Sequence, residues 1–122
     1  MSIAIVTGAG GLVGSAIARR FTDEGVDVVG IDNDMRAYFF GPDASTKSCA
    51  QGLIDSLKNY RHETLDIRDQ SAIENLFSSL GTEIKYIVHC AAQPSHDWAA
   101  TEPHTDFSVN AMGTLNLLES TR

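Results

Sequence analysis

Residues 2–32 read SIAIVTGAGGLVGSAIARRFTDEGVDVVGID, and the pattern changes three times within them. Ser2 to Thr7 is a short apolar run rich in β-branched residues and stopped by glycine. That is how a strand buried on both faces reads. From Gly14 the apolar period lengthens: Val13, Ile17 and Phe21 recur every four residues, Arg19, Arg20, Asp23 and Glu24 face outward, and Gly25 supplies a terminator. This is a helix with a C-terminal glycine. Val26 to Ile31 returns to a β pattern and ends at Asp32. Strand, glycine turn, helix and strand make one βαβ unit, because parallel strands need a crossover.

Outward from that unit the alternation continues. Residues 33–60 are the least periodic, and Tyr38-Phe39-Phe40-Gly41-Pro42 interrupts any pattern there. A short helix is expected from about Cys49 to Leu57 and a weak third strand over Arg61 to Leu65. Ile73, Leu76, Phe77 and Leu80 fall at helical spacing behind Asp69, an N-cap candidate, and Ile84 to Cys90 reads as a fourth strand. From about Pro103 a long helix is expected, with Phe107, Ala111, Leu115 and Leu118 on one face and Val109 and Leu117 on others. A helix apolar around much of its circumference has a second packing surface besides its own sheet. The expected fold is therefore α/β: a Rossmann-like, doubly wound parallel sheet of about four strands with flanking helices.

Composition narrows the partners. The net charge is −7 and the basic residues are scattered, which disfavours nucleic acid and anionic membranes, since both need clustered positive charge. No apolar run approaches the ~20 residues of a membrane span, and the apolar start lacks a basic lead. Cys49 and Cys90 form no CxxC pair; reduced thiols and a cytoplasmic setting are expected. His62, His89, His96 and His104 show no metal-ligand spacing, so no metal is expected. Ser95-His96-Asp97 is a hydrolytic triad in name only, because adjacent side chains diverge.

Gly8, Gly11 and Gly14 stand three apart between the first strand and first helix. Gly8 allows a tight turn, Gly11 lets backbone approach a pyrophosphate, and Gly14 lets the helix pack on the strand. The helix N-terminus adds free N–H groups and a positive dipole end. Asp32 stands about the ~20 residues further on where such folds place an acid for the adenosine ribose hydroxyls. The bland alternatives, a structural turn and a solvated strand end, are outweighed because strand, helix and acid occur together. A carboxylate there repels a 2′-phosphate and favours NAD over NADP, a preference that nearby Arg36 softens.

These residues resemble the extended short-chain dehydrogenase/reductase family, in particular its NAD-dependent nucleotide-sugar epimerases and dehydratases. TGAGGLVG matches that family's TGxxGxxG. Four further features match in order: Asp32-Asn33, Asp66-Ile67-Arg68-Asp69, His89-Cys90-Ala91-Ala92-Gln93, and Asn110-Ala111-Met112-Gly113-Thr114. The resemblance implies Leu12 and Val13 beside the pyrophosphate, Asp32 and Asn33 at the ribose, Asp66 at the adenine amino group and Ile67 flanking the ring. It implies Ala91, Ala92 and Gln93 along the path to the nicotinamide ribose, and Asn110 bracing the end of the fourth strand. Gln93, Ser95 and His96, in the loop after that strand, are candidates for contacting a nucleotide-sugar substrate. Residues 91–119, AAQPSHDWAATEPHTDFSVNAMGTLNLLE, and the aromatic insert at Arg36–Gly41 are most similar to the CDP-paratose 2-epimerases (CDP-tyvelose epimerases) within the family.

Catalysis in such enzymes resembles general acid–base work by a tyrosine whose pKa is lowered by a lysine four residues on. Tyr38, Tyr60 and Tyr86 are followed at that spacing by Pro42, Thr64 and Cys90, so no catalytic residue is assigned. Residues 1–122 are expected to be the N-terminal part of an NAD-binding domain, inactive alone, with the catalytic and substrate-binding portions beyond Arg122. An apolar fourth strand with an open edge makes this segment prone to instability or self-association. The resemblance further implies a homodimer formed through the long last helix. The other functions to weigh are a nucleotide-sugar dehydratase or reductase and a non-catalytic NAD-sensing module.

Overall fold

The computed structural model describes residues 1–122. Four strands, β1 (Ile3–Thr7), β2 (Asp27–Ile31), β3 (Tyr60–Glu63) and β4 (Ile84–His89), pair in parallel in the order β3-β2-β1-β4. All five residues of β1 are buried, and their alternation builds two cores. Ile3 and Ile5 join Val29, Ile31, Ile73, Leu76, Phe77, Val109 and Leu117 on one face. Ala4 and Val6 join Val28, Ala18, Leu53 and Tyr60 on the other.

The helices follow the sequence chemistry. α1 (Leu12–Asp23) ends before Gly25, whose φ of +80° favours glycine, and it carries an exposed Arg20–Glu24 pair one turn apart. α2 (Met35–Phe40) and α3 (Lys47–Ser56) precede β3. α4 (Gln70–Leu80) is capped by Asp69, whose carboxylate accepts the Ala72 N–H at 3.1 Å. After β4 come α5 (His96–Thr101), α6 (Pro103–Phe107), a π turn over Ser108–Met112, and α7 (Gly113–Thr121). The alternating strands and helices expected from sequence are present, with ends shifted by one or two residues.

Two elements differ from expectation. The stretch through Tyr38-Phe39-Phe40 is helix rather than irregular chain, entered through Asp34 in the left-handed region (φ 60°) and left through Gly41 (φ 90°). His96, expected in a loop, begins α5, for which Ser95 is the N-cap: its hydroxyl accepts the Trp98 N–H. In the last helix, Val109, Gly113, Asn116 and Leu117 face inward, while Phe107, Leu115 and Leu118 are 61%, 45% and 62% exposed.

β4 lies at a sheet edge, where Tyr86 packs on Phe21 with ring centroids 5.2 Å apart. Its carboxyl end is held by Thr7, fully buried in β1. The Thr7 hydroxyl oxygen accepts the N–H groups of Cys90 and Ala91 at 3.1 Å each, so its own proton goes to His89 Nδ1 at 2.6 Å. The remaining imidazole proton sits on Nε2 and is donated to Thr114 Oγ1 at 3.1 Å; Thr114 donates in turn to the Asn110 carbonyl at 2.7 Å. Every hydrogen in this chain of bonds is assigned with the ring neutral, and protonating Nδ1 would set two donors against each other.

Partial burial holds the His89 pKa below its ordinary 6.5. Between that lowered value and about 6.5 the unfolded chain binds more protons than the folded one, so stability is lost as pH falls through this window. Urea midpoints are expected to stay level from pH 8 to 7, then fall on acidification below about 6.5. His89→Gln should flatten that slope, while the separate loss near pH 4, where carboxylates protonate, remains. Asn116 is buried and donates from Nδ2 to the Ile67 carbonyl at 2.9 Å. Asn116→Leu keeps the branched shape but strands that carbonyl, and urea unfolding should show a loss of about 1–3 kcal/mol.

Candidate functional site

At the carboxyl ends of β1, β2 and β4, the connecting loops enclose a cavity of about 270 Å³. Such edges are where open α/β sheets place ligands. Of the residues expected to bind a cofactor, Gly8, Gly11, Leu12, Val13, Gly14, Asp32, Asn33, Ile67, Ala91 and Ala92 line it. Asp66, Gln93 and Asn110 do not, nor do the substrate candidates Ser95 and His96.

The glycine turn forms one wall. Gly8 (φ +67°) and Ala9 donate their N–H groups to the Ile31 carbonyl, and Gly11 donates to the Gly8 carbonyl at 3.0 Å. A Cβ at Gly8 would lie 2.8 Å from the Ala91 nitrogen, and one at Gly14 would strike the Gly8 carbonyl. The amides of Leu12, Val13 and Gly14, at the start of α1, have no acceptor within the protein. Leu12 is 90% exposed, which leaves the backbone at the cavity mouth open. Three unpaired N–H groups at the positive end of a twelve-residue helix fit a diphosphate.

Asp32 fixes the second wall. Its Oδ2 accepts the Gly10 N–H at 2.9 Å, and Oδ1 accepts the Asp34 N–H at 2.8 Å and the Thr46 hydroxyl at 2.9 Å. The carboxylate therefore ties the glycine turn to the chain after β2, while Oδ2, with one partner, retains a lone pair for a hydroxyl ligand. Asp34 accepts from Ser45 Oγ at 2.7 Å and from the Thr46 N–H at 2.7 Å. Burial alone would raise its pKa, but these bonds and the Lys47 charge outweigh it and hold the carboxyl below its ordinary value.

Beyond Asp32 the lining becomes apolar, with Met35, Phe39, Phe40, Leu65, Ile67 and Val109. Asp66 turns its carboxylate to Arg68, with Nη2–Oδ2 at 2.7 Å, and accepts the Arg68 N–H at 2.9 Å. Desolvation opposes its ionisation, yet the guanidinium contacts dominate and lower its pKa. Opposite, Ala91 and Ala92 keep the floor shallow, and partial burial raises the Cys90 thiol pKa.

The remaining polar residues form a brace beneath that floor. Asn110 lies in the π turn, a distortion frequent at functional sites. Its amide meets both backbone groups of Gln93: Oδ1 accepts the N–H at 2.8 Å and Nδ2 donates to the carbonyl at 2.9 Å. Gln93, 4% exposed, spends its side chain on the Ser95 backbone and Asp106 Oδ1. Sequence reasoning missed Met35, Phe39, Phe40, Thr46, Leu65 and Pro94 as lining residues. The run of three aromatics before Gly41-Pro42 was the available signal for part of this set.

The sequence profile of the NAD dependent epimerase/dehydratase family matches residues 4–122. The chain is 32% identical to dTDP-glucose 4,6-dehydratase of Escherichia coli over 118 residues, which are 97% of this chain and 30% of that protein. It is 29% identical to CDP-paratose 2-epimerase of Salmonella typhi over 120 residues, 97% of this chain and 32% of the other. Among solved structures, the Thermus thermophilus UDP-glucose 4-epimerase complex with NAD superposes with a TM-score of 0.73 at 28% identity. That match covers 98% of this chain and 33% of the other. The chain thus spans roughly a third of the length of these relatives. It belongs to the NAD dependent epimerase/dehydratase family.

Proposed function

We propose that this chain holds NAD and is the cofactor-binding part of a nucleotide-sugar epimerase of the CDP-paratose 2-epimerase type. The observation that carries the reading is the set of unpartnered amides at Leu12, Val13 and Gly14 facing the cavity that Asp32 borders. In this reading those amides bind the diphosphate, with Gly11 giving it access. Asp32, through the open lone pair of Oδ2, accepts a ribose hydroxyl, with Asn33 beside it. Ile67 flanks the adenine, with Met35, Phe39 and Leu65 completing an apolar slot, and Asp66 reaches the adenine amino group only by sharing its carboxylate with Arg68. Ala91 and Ala92 leave volume for the nicotinamide ribose. Gln93 and Asn110 act as positioning residues that fix the loop after β4, and Ser95 and His96, at the start of α5, are assigned to the sugar nucleotide. The enclosed volume lies just under the ~300 Å³ at which small-molecule sites begin, consistent with a chain that wraps part of a longer ligand.

The chemistry that NAD supplies is reversible hydride acceptance, by which a sugar hydroxyl becomes a ketone and is reduced again on the opposite face. This chain contributes the grip and orientation for that exchange; the proton-transferring tyrosine–lysine pair is assigned to none of its residues. The exposed face of Phe107, Ala111, Leu115 and Leu118 is proposed as the homodimer contact. The unpaired thiols of Cys49 and Cys90 suit a cytoplasmic protein.

Calorimetric titration should show NAD binding, with NADP weaker by at least about tenfold because the Asp32 charge opposes a 2′-phosphate. Gly11→Ala, whose added Cβ meets only the Gly8 carbonyl at 3.2 Å, should lower NAD affinity by about tenfold or more with little change in melting temperature. No heat with either dinucleotide would sink the reading. Activity is checked separately: the complete protein with a CDP-sugar should invert C2, and water loss instead would favour a dehydratase.

A further inference from the structure

We propose that residues 35–44 form a strap across the nucleotide cavity, latched by Tyr38, Trp98 and Glu102, and that opening this latch sets how fast the dinucleotide enters and leaves. The proposal rests on the dinucleotide-binding reading above. The strap is closed at its base, because Asp34 accepts bonds from Ser45 and Thr46, which draws the two ends of the excursion together. Its inner side, Met35, Arg36, Phe39 and Phe40, lines the cavity.

At the tip two independent hydrogen bonds reach α5 and the residue that ends it. The Tyr38 hydroxyl donates to the Glu102 carboxylate, 2.9 Å from Oε1 and 3.1 Å from Oε2. Trp98 Nε1–H donates to the Phe39 carbonyl at 2.7 Å. The Trp98 ring lies edge-on to Phe39 with centroids 5.5 Å apart and tilted against Tyr38 at 6.0 Å. α2 follows β2 and α5 follows β4, and these strands flank β1 on opposite sides. The contact therefore runs over the glycine turn that follows β1. A ligand gripped by that turn and by both flanking loops lies under the bridge.

The latch is built to open. It joins two six-residue helices and Tyr38 is 57% exposed; the one buried side chain it uncovers is Phe39, which lies outside both core clusters, so separation leaves the two sheet cores intact. Tyr38, Trp98 and Glu102 do not line the cavity. Weakening them should raise the open population with and without ligand, and so change both rates while leaving the equilibrium alone.

Stopped-flow NADH fluorescence on the protein tests this. Tyr38→Phe and Trp98→Phe should each raise the association and dissociation rates together by about three- to tenfold, with Kd held within about twofold. Glu102→Gln, which keeps an acceptor, should fall between Tyr38→Phe and the wild type. A rise in dissociation alone would mean direct ligand contact, and unchanged rates would mean no gate; either overturns the proposal while leaving cofactor binding intact. A wild-type protein that binds no NADH overturns the functional reading and the strap with it. Without ligand, Trp98 is the only tryptophan, and Tyr38→Phe should shift its emission to longer wavelength and increase iodide quenching. Unaltered emission and quenching would show that the latch is not formed.

Discussion

β1 is buried on both faces and hydrogen-bonded on both edges, so nothing in the strand itself can reach a ligand. What reaches the ligand side is the chain immediately after it. Four residues separate Thr7 from the first residue of α1, and three of them are glycine. The helix start must lie directly on the strand end, which is why Gly8 and Gly14 touch. That packing leaves the first N–H groups of α1 without carbonyl partners, as at any helix start, but aims them where the loops after β1, β2 and β4 converge. The floor is set by the same constraint, since Ala91 approaches Gly8 too closely for a Cβ to fit between them.

Legibility in the sequence tracked element length and burial. β1, α1, β2, α4 and β4 each give a period that their burial enforces, and they stand within a residue or two of where the sequence puts them. α2 and α5 have six residues each, under two turns, and no helical period can show in so short a run. Their limits come from local devices: Asp34 in the left-handed region, Gly41 at φ 90°, and the Ser95 cap. A cap followed by a helix was readable at Ser95; a left-handed aspartate was not. In the last helix the apolar wheel found a real face, the outward one. The inward face was half visible, through Val109 and Leu117; the rest is Gly113 and Asn116, a small residue and an amide, which answer to contact with Ile67 rather than to hydrophobicity.

The site divides the same way. The glycines were legible because spacing alone says where backbone must come close, whereas Ala91 and Ala92 came from the family resemblance. Thr46, Met35, Phe39 and Phe40 were not, because they reach the cavity only through the excursion after β2, whose path depends on Asp34 bonding Ser45 and Thr46. Asp32 belongs to both groups. Its place at the end of β2 marks it in the sequence, yet three of its bonds serve to hold the turn and the strap base together.

A polar side chain buried without a partner costs about 1–3 kcal/mol, and this molecule leaves almost none: Ser120 Oγ is the only such atom. Asp66 has Arg68, Gln93 has Ser95 and Asp106, and Asn110 has the Gln93 backbone. A ligand that drew on any of these would first have to replace an existing bond, so their net contribution to affinity is small and their effect on shape is large. The first-turn amides of α1 stand apart, because helix geometry withholds carbonyl partners from them and no side chain caps them. Under the proposed function, binding energy concentrates on backbone that any residue could supply, and the residues whose identity matters most are the ones that leave this backbone uncovered. At the glycine turn the recognition element is the absence of side chains.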